Sequence, residues 1–152
     1  MRIRPARAVD RAAIEAIVRT AYSIYIERIG KPPGPMLDDY AALIDAGVVS
    51  VLEDADFSIA AVIVLMPKVD HLLLDNIAVR PDRQGRGCGR ALVSFAESEA
   101  RRLGYRELRL YTHQKMTENL ALYQRLDFEE IGRGHQDGYD RVFMRKSVRD
   151  FP

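Results

Sequence analysis

Gln84-Gly85-Arg86-Gly87-Cys88-Gly89-Arg90 alternates three glycines with polar or small residues, between an apolar run and an amphipathic one. Such a turn has a chemical use where a helix begins. The first N–H groups of a helix lack partners and sit at the positive end of its macrodipole, so they attract anions. Glycine lets the backbone approach a ligand closely, and Arg83, Arg86 and Arg90 add cationic charge beside it. A diphosphate is the natural guest. A tight strand-to-helix turn that needs glycine only for its shape is the competing reading. A dinucleotide fingerprint fails, because Arg90 stands where its third glycine belongs, and no G-x-x-x-x-G-K-[ST] loop occurs.

The elements around this turn follow from periodicity. Leu72 to Val79 has strand length, and Pro81 ends it. Ala91, Leu92, Phe95, Ala96 and Leu103 then recur as one helical face, closed by Gly104. Upstream, a short strand at Arg2–Arg4 precedes a helix capped by Asp10, with Val9 and Ile14 as a hydrophobic staple, ending near Gly30. The prolines of 31–35 make a stiff loop before a second helix over about 36–46. Val48 to Leu52 and Phe57 to Met66 read as a hairpin. Downstream, Arg106 to Thr112 alternates like a half-buried strand, and Thr117 opens a last helix. Phe128–Ile131 and Tyr139–Met144 close the chain as strands separated by a turn-rich 132–138. The order is β-α-α-β-β-β-α-β-α-β-β, an α/β chain with a mixed sheet and helices on both faces.

Composition sets the outer limits. A chain of 152 residues, 47% apolar and 30% charged, reads as one soluble domain over 1–152. With 23 basic and 22 acidic residues, no global field favours nucleic acid or a membrane. The single Cys88 excludes an internal disulfide and fits a reducing, cytoplasmic setting, and neither a signal region nor a spanning run is expected.

Gln84-x-x-Gly87-x-Gly89, after a strand ending Ile77-Ala78-Val79-Arg80-Pro81, closely resembles the acyl-coenzyme A signature of the GNAT superfamily of N-acetyltransferases. The element order is also that of the GNAT fold. A second signature, Asn119-Leu120-Ala121-Leu122-Tyr123-Gln124-Arg125-Leu126-Asp127-Phe128, is similar to the family's last helix. Two departures stand out: Met116 where that motif usually has Asn, and Asp127 in place of a glycine. Asp tolerates the left-handed turn better than most residues.

The resemblance implies acetyl-CoA as co-substrate, no metal, and the primary amine of a small molecule as acceptor, attacked directly in a ternary complex. Gln84, Gly85, Arg86, Gly87, Cys88, Gly89 and Arg90 would hold the diphosphate. Ile77, Ala78 and Val79 would pair with the pantetheine arm, in a slot made where the strand Leu72–Val79 parts from the strand Arg106–Thr112. Amides near Ile77 and Ala78 would serve as an oxyanion site. Asn119 would also touch the coenzyme, and Tyr123 would protonate the departing thiolate; packing at a helix edge is the plainer role for that tyrosine. Asp75 is the candidate base, acting through water that Asn76 orients, with His113 as a comparable candidate. Cys88 lacks a positioned base and reads as a small packed residue.

Tyr25, Glu27 and Tyr40 would line the acceptor wall. An acidic wall there, drawn from Glu27, Asp38 and Asp39, favours a substrate with a second cationic group. A non-catalytic acyl-CoA-binding module, or acetylation of a peptide amine, are the alternatives. A homodimer is left open.

Overall fold

The computed structural model describes residues 1–148 of the chain. Seven strands form one sheet: β1 (Arg2–Pro5), β2 (Val49–Glu53), β3 (Ile59–Pro67), β4 (Leu72–Val79), β5 (Glu107–His113), β6 (Glu129–Gln136) and β7 (Tyr139–Ser147). Their spatial order is β1-β2-β3-β4-β5-β7-β6. β4 and β5 run parallel, joined by the crossover helix α4 (Cys88–Leu103), and the other neighbours are antiparallel. This is the mixed α/β sheet that the sequence implies.

β3 is apolar throughout because helices cover both of its faces, and the pleat sends alternate residues to opposite sides. Ala61 and Ile63 join a core with Leu92, Val93, Ala96 and Ala100 of α4. Val62 and Val64 join a second core with Ile14, Ile17 and Val18 of α1 (Arg11–Tyr22). In β4 this alternation changes phase. Leu72 and Leu74 face α4, but so does Ile77, while Ala78 faces α1. One extra residue explains it: Val64 pairs with Asn76 and Leu65 with Leu74, so Asp75 is the unpaired residue of a β-bulge.

Three local readings change. The long first helix is two, α1 and α2 (Ile24–Ile29), broken at Ser23. There the Thr20 hydroxyl donates to the Ala16 carbonyl and Ser23 to the Thr20 carbonyl, competing with the helical ladder. The second helix is only α3 (Tyr40–Asp45), after a 3-10 turn over Gly34–Leu37; the Asp39 carboxylate caps it by accepting from the Ala42 N–H. Residues 132–136 belong to β6, and the turn is Asp137-Gly138, both with positive φ, as a two-residue hairpin requires. The last helix, α5, spans Thr117–Arg125. No helix among the described residues is long and apolar enough to cross a membrane.

Candidate active site

β4 and β5 touch only at their beginnings. Leu72 pairs with Leu108 and Leu73 with Arg109, after which no further pairs form. The strands part and leave one side of β4 without a partner. Which amides this exposes follows from alternation. The Arg80 N–H donates to the Ala60 carbonyl on the β3 side, whereas the Ile77 carbonyl accepts from the Tyr22 hydroxyl at 2.8 Å. Residues two apart share a side, so the amide of Ala78 turns toward β3 and those of Ile77 and Val79 turn into the gap. Of the pair Ile77 and Ala78, only Ile77 offers a free amide there.

Below the gap lies a cleft of about 530 Å³. Ile77, Ala78 and Val79 form one wall, and Gln84, Gly85, Gly87, Cys88, Gly89 and Arg90 form its floor. Gly87 caps α4 with φ 84° and no side chain caps the helix, so the first-turn N–H groups keep no protein acceptor. A Cβ at Gly85 or Gly87 would meet nothing, so it is positive φ rather than crowding that demands glycine. Arg86 is exposed and does not line the cleft. Arg83 does, held by Asp54 across the turn. The far wall is α5, through Glu118, Asn119, Leu122 and Arg125.

The sequence reading missed Glu118 and Arg125. Glu118 takes the Arg28 guanidinium of α2 at 2.8 and 2.9 Å, joining α2 to α5 beside the cleft. Tyr25 accordingly lines this larger cleft, not the acceptor wall that the sequence suggested, with its hydroxyl pKa pushed up to about 12 by burial. Glu27 is exposed and lines neither space.

On the other side of the gap is a smaller cavity of about 150 Å³. Asp38, from the loop before α3, lines it together with Asp75, and burial with the nearby Asp75 charge raises the Asp38 pKa to about 7. Asp38 is thereby the carboxyl that keeps its proton toward neutrality. The β-bulge is what delivers Asp75: an in-phase strand would have turned it elsewhere. Asn76 is buried beside them, donating to the Tyr40 hydroxyl at 3.3 Å, while its Oδ1 has no donor. Tyr40 donates to the Pro35 carbonyl at 2.7 Å, so it stands behind the cavity and braces the proline loop.

Tyr123 lines this cavity from α5, its ring edge-on to Phe128. It is 3% exposed, and burial drives its hydroxyl pKa far up, so it carries its proton at any physiological pH. His113 also lines the cavity, but it makes a poor base. Its Nδ1 accepts from the Lys115 N–H at 3.1 Å, which fixes the remaining proton on Nε2, and burial lowers its pKa. Cys88 is buried, with its thiol pKa raised by burial, so it is not a ready nucleophile. Met116, buried at the start of α5, offers only its sulfur, as acceptor for the Thr112 hydroxyl at 3.7 Å. Tyr22 and Asn119 border both spaces.

A parallel strand pair that parts above an uncapped, glycine-led helix defines an acyl-coenzyme A acyltransferase architecture. The family model of the acetyltransferase (GNAT) domain matches residues 45–130, and the chain belongs to that family. It is 40% identical over 52 residues to a mycothiol acetyltransferase of Geodermatophilus obscurus, a stretch that is 34% of this chain and 17% of that relative's length. The ribosomal-protein-S18-alanine N-acetyltransferase of Escherichia coli superposes with a TM-score of 0.74 at 24% identity, covering 99% of this chain and 96% of that one. A Bacillus subtilis acetyltransferase in complex with CoA gives 0.75 at 20% identity, covering 97% and 99%. The PaiA N-acetyltransferase of Thermoplasma acidophilum, in complex with coenzyme A, gives 0.75 at 18% identity over 96% and 98%. At these identities the structural likeness establishes the fold.

Proposed function

We propose that the protein transfers the acetyl group of acetyl-CoA to the primary amine of a small molecule, both substrates being bound at once. The observation that carries this reading is the meeting of two cavities at the β4–β5 gap, with Tyr22 and Asn119 common to both. The larger one takes the coenzyme: glycine-turn amides and Arg90 hold its diphosphate, and the gap side of β4 holds its amide-bearing arm. The smaller one takes the amine.

The residues then divide the work. The Asp38–Asp75 pair accepts a proton from the arriving ammonium, leaving a free amine to attack the thioester carbonyl. The Ile77 N–H faces the oxygen that gains charge as the C–N bond forms. Tyr123 gives its proton to the thiolate as the C–S bond breaks and is reprotonated by the second proton that the nitrogen loses as the amide forms; a thiol of ordinary pKa about 8.5 leaves more readily with such a donor. The E. coli neighbour's name points to a protein alanine as acceptor. A cavity of about 150 Å³ admits a ligand of benzene size, which favours a small molecule or no more than a chain terminus. An acetyl-CoA turnover screen over small amines, polyamines and peptide N-termini tests the reading. Release of CoA with one acetyl group gained by a small amine supports it. Coenzyme binding without turnover on any amine returns the protein to a non-catalytic binding role.

A further inference from the structure

The acceptor cavity holds a cation that the proposed chemistry leaves unused. Arg141 of β7 lines it with a side chain only 13% exposed, its guanidinium 4.1 Å over the Tyr111 ring and 5.8 Å from that of Tyr139. Its polar partners are few. The Gln136 side-chain oxygen accepts one hydrogen bond at 2.8 Å, and Asp137 lies 3.8 Å away with 76% of its own side chain in water. An ion pair that long and that exposed contributes little. A guanidinium carries five N–H donors in a planar fork matched to a carboxylate, so most of this one's capacity is unspent.

The same cavity holds Asp38 and Asp75, together with Asn76, whose buried Oδ1 lacks a donor. One small space thus offers acceptors for an ammonium and an unspent fork for an anion. A dication would meet Arg141; a bare amine would leave its fork empty.

We propose that the acceptor is a small zwitterion, an amino acid in the broad sense, whose carboxylate is gripped by Arg141 while its ammonium is presented to Asp38 and Asp75. This rests on the acetyl-transfer reading and narrows its substrate class. It also replaces the second cationic group that an acidic wall implied, because Glu27 is absent from the cavity and Arg141 is present in it. The alternative role for Arg141 is to brace the hairpin by stacking on two tyrosines.

The test compares matched sets: each natural amino acid, its carboxamide and its decarboxylated amine, assayed with acetyl-CoA on the wild-type chain and on Arg141→Gln and Arg141→Lys. For the best side chain, the acid should exceed both relatives in kcat/KM by at least about 10-fold, from the net worth of a charge-assisted hydrogen bond. Arg141→Gln should bring that ratio near 1, chiefly by raising the amine KM, and Arg141→Lys should restore part of it. Calorimetric CoA binding by each variant confirms that it is folded. Equal or better turnover of decarboxylated amines by the wild type, or a preference for the acid that survives Arg141→Gln, overturns the zwitterion assignment and leaves acetyl transfer standing. No CoA release with any member of the sets, peptides and polyamines included, overturns both.

Discussion

At the scale of single residues the smaller cavity holds a phenol that keeps its proton, Tyr123, and a carboxyl whose pKa is raised, Asp38. Tyr123→Phe removes a hydroxyl and keeps the ring against Phe128, so packing changes little. It should lower kcat about 10-fold or more with a smaller effect on the acetyl-CoA KM, and an unchanged kcat would return Tyr123 to a packing role. Asp38 predicts a pH profile. With its pKa raised to about 7 by burial and by Asp75, the pair cannot take the amine's proton in acid. kcat/KM should therefore rise through about pH 7, and in Asp38→Asn that limb should be lost. A limb that stays in place would remove Asp38 from the base. Stability has the opposite slope: the folded chain holds a proton on Asp38 that the unfolded chain releases near pH 4, so this group's contribution falls as pH rises from there to about 7. Tyr123 and Asp75 were legible in the sequence as candidates. Asp38 as a partner of Asp75 was not, because nothing local says that a loop some 37 residues upstream meets a bulge in β4.

The secondary-structure elements explain which expectations survived. Patterns with one dominant local cause read well: the apolar run of β4, the stripe of α4, and Asp127, which adopts φ 69° where the motif's usual glycine would. Competing local causes were missed. Asp137-Gly138 sets the hairpin turn, at the end of the turn-rich 132–138 that the sequence suggested, the rest of which is strand. Asp10 does not cap α1. Its carboxylate takes the Arg7 N–H at 2.7 Å and the Arg4 guanidinium at 2.8 and 3.1 Å, and Val9, 82% exposed, staples nothing. The Arg4 guanidinium and the Arg7 amide hold the Asp10 carboxyl below the usual carboxylate range, so its stabilisation is present above the unfolded-chain pKa and is lost as pH falls through the folded one. Asp10→Ala should cost about 1–3 kcal/mol in chemical denaturation, by leaving buried donors unpaired; a variant as stable as the wild type would contradict that. The glycine turn makes a separate prediction. Gly87 sits at φ 84°, which a β-branched residue resists, so Gly87→Val should weaken CoA binding at least about 10-fold by calorimetry while circular dichroism stays native. Unchanged affinity in the folded variant would place the diphosphate elsewhere.

For the whole molecule, family and fold were legible because the glycine turn, the last-helix motif and the order of elements are all local or sequential properties. The smaller cavity was not, because its walls come from the proline loop, β4, β5, α5 and β7, brought together by a sheet order in which β7 inserts beside β5. Tyr139 and Arg141 share a face of β7 by strand alternation, yet only that insertion pairs Arg141 with His113, sets its guanidinium over Tyr111 and brings the Tyr139 ring edge-on to His113. Hydrogen bonds then close the loop onto the hairpin: the Tyr139 hydroxyl donates to the Pro32 carbonyl at 2.7 Å and the Lys31 ammonium to the Gly138 carbonyl at 2.5 Å. On the reading proposed above, two cavities joined at one gap let the amine attack the thioester directly, with no acyl group parked on the buried Cys88. Two-substrate initial-velocity kinetics with acetyl-CoA and the best amine test it most directly. Lines that intersect on a double-reciprocal plot, with no CoA released until amine is added, are the predicted result; parallel lines, with a burst of CoA from acetyl-CoA alone, would contradict it.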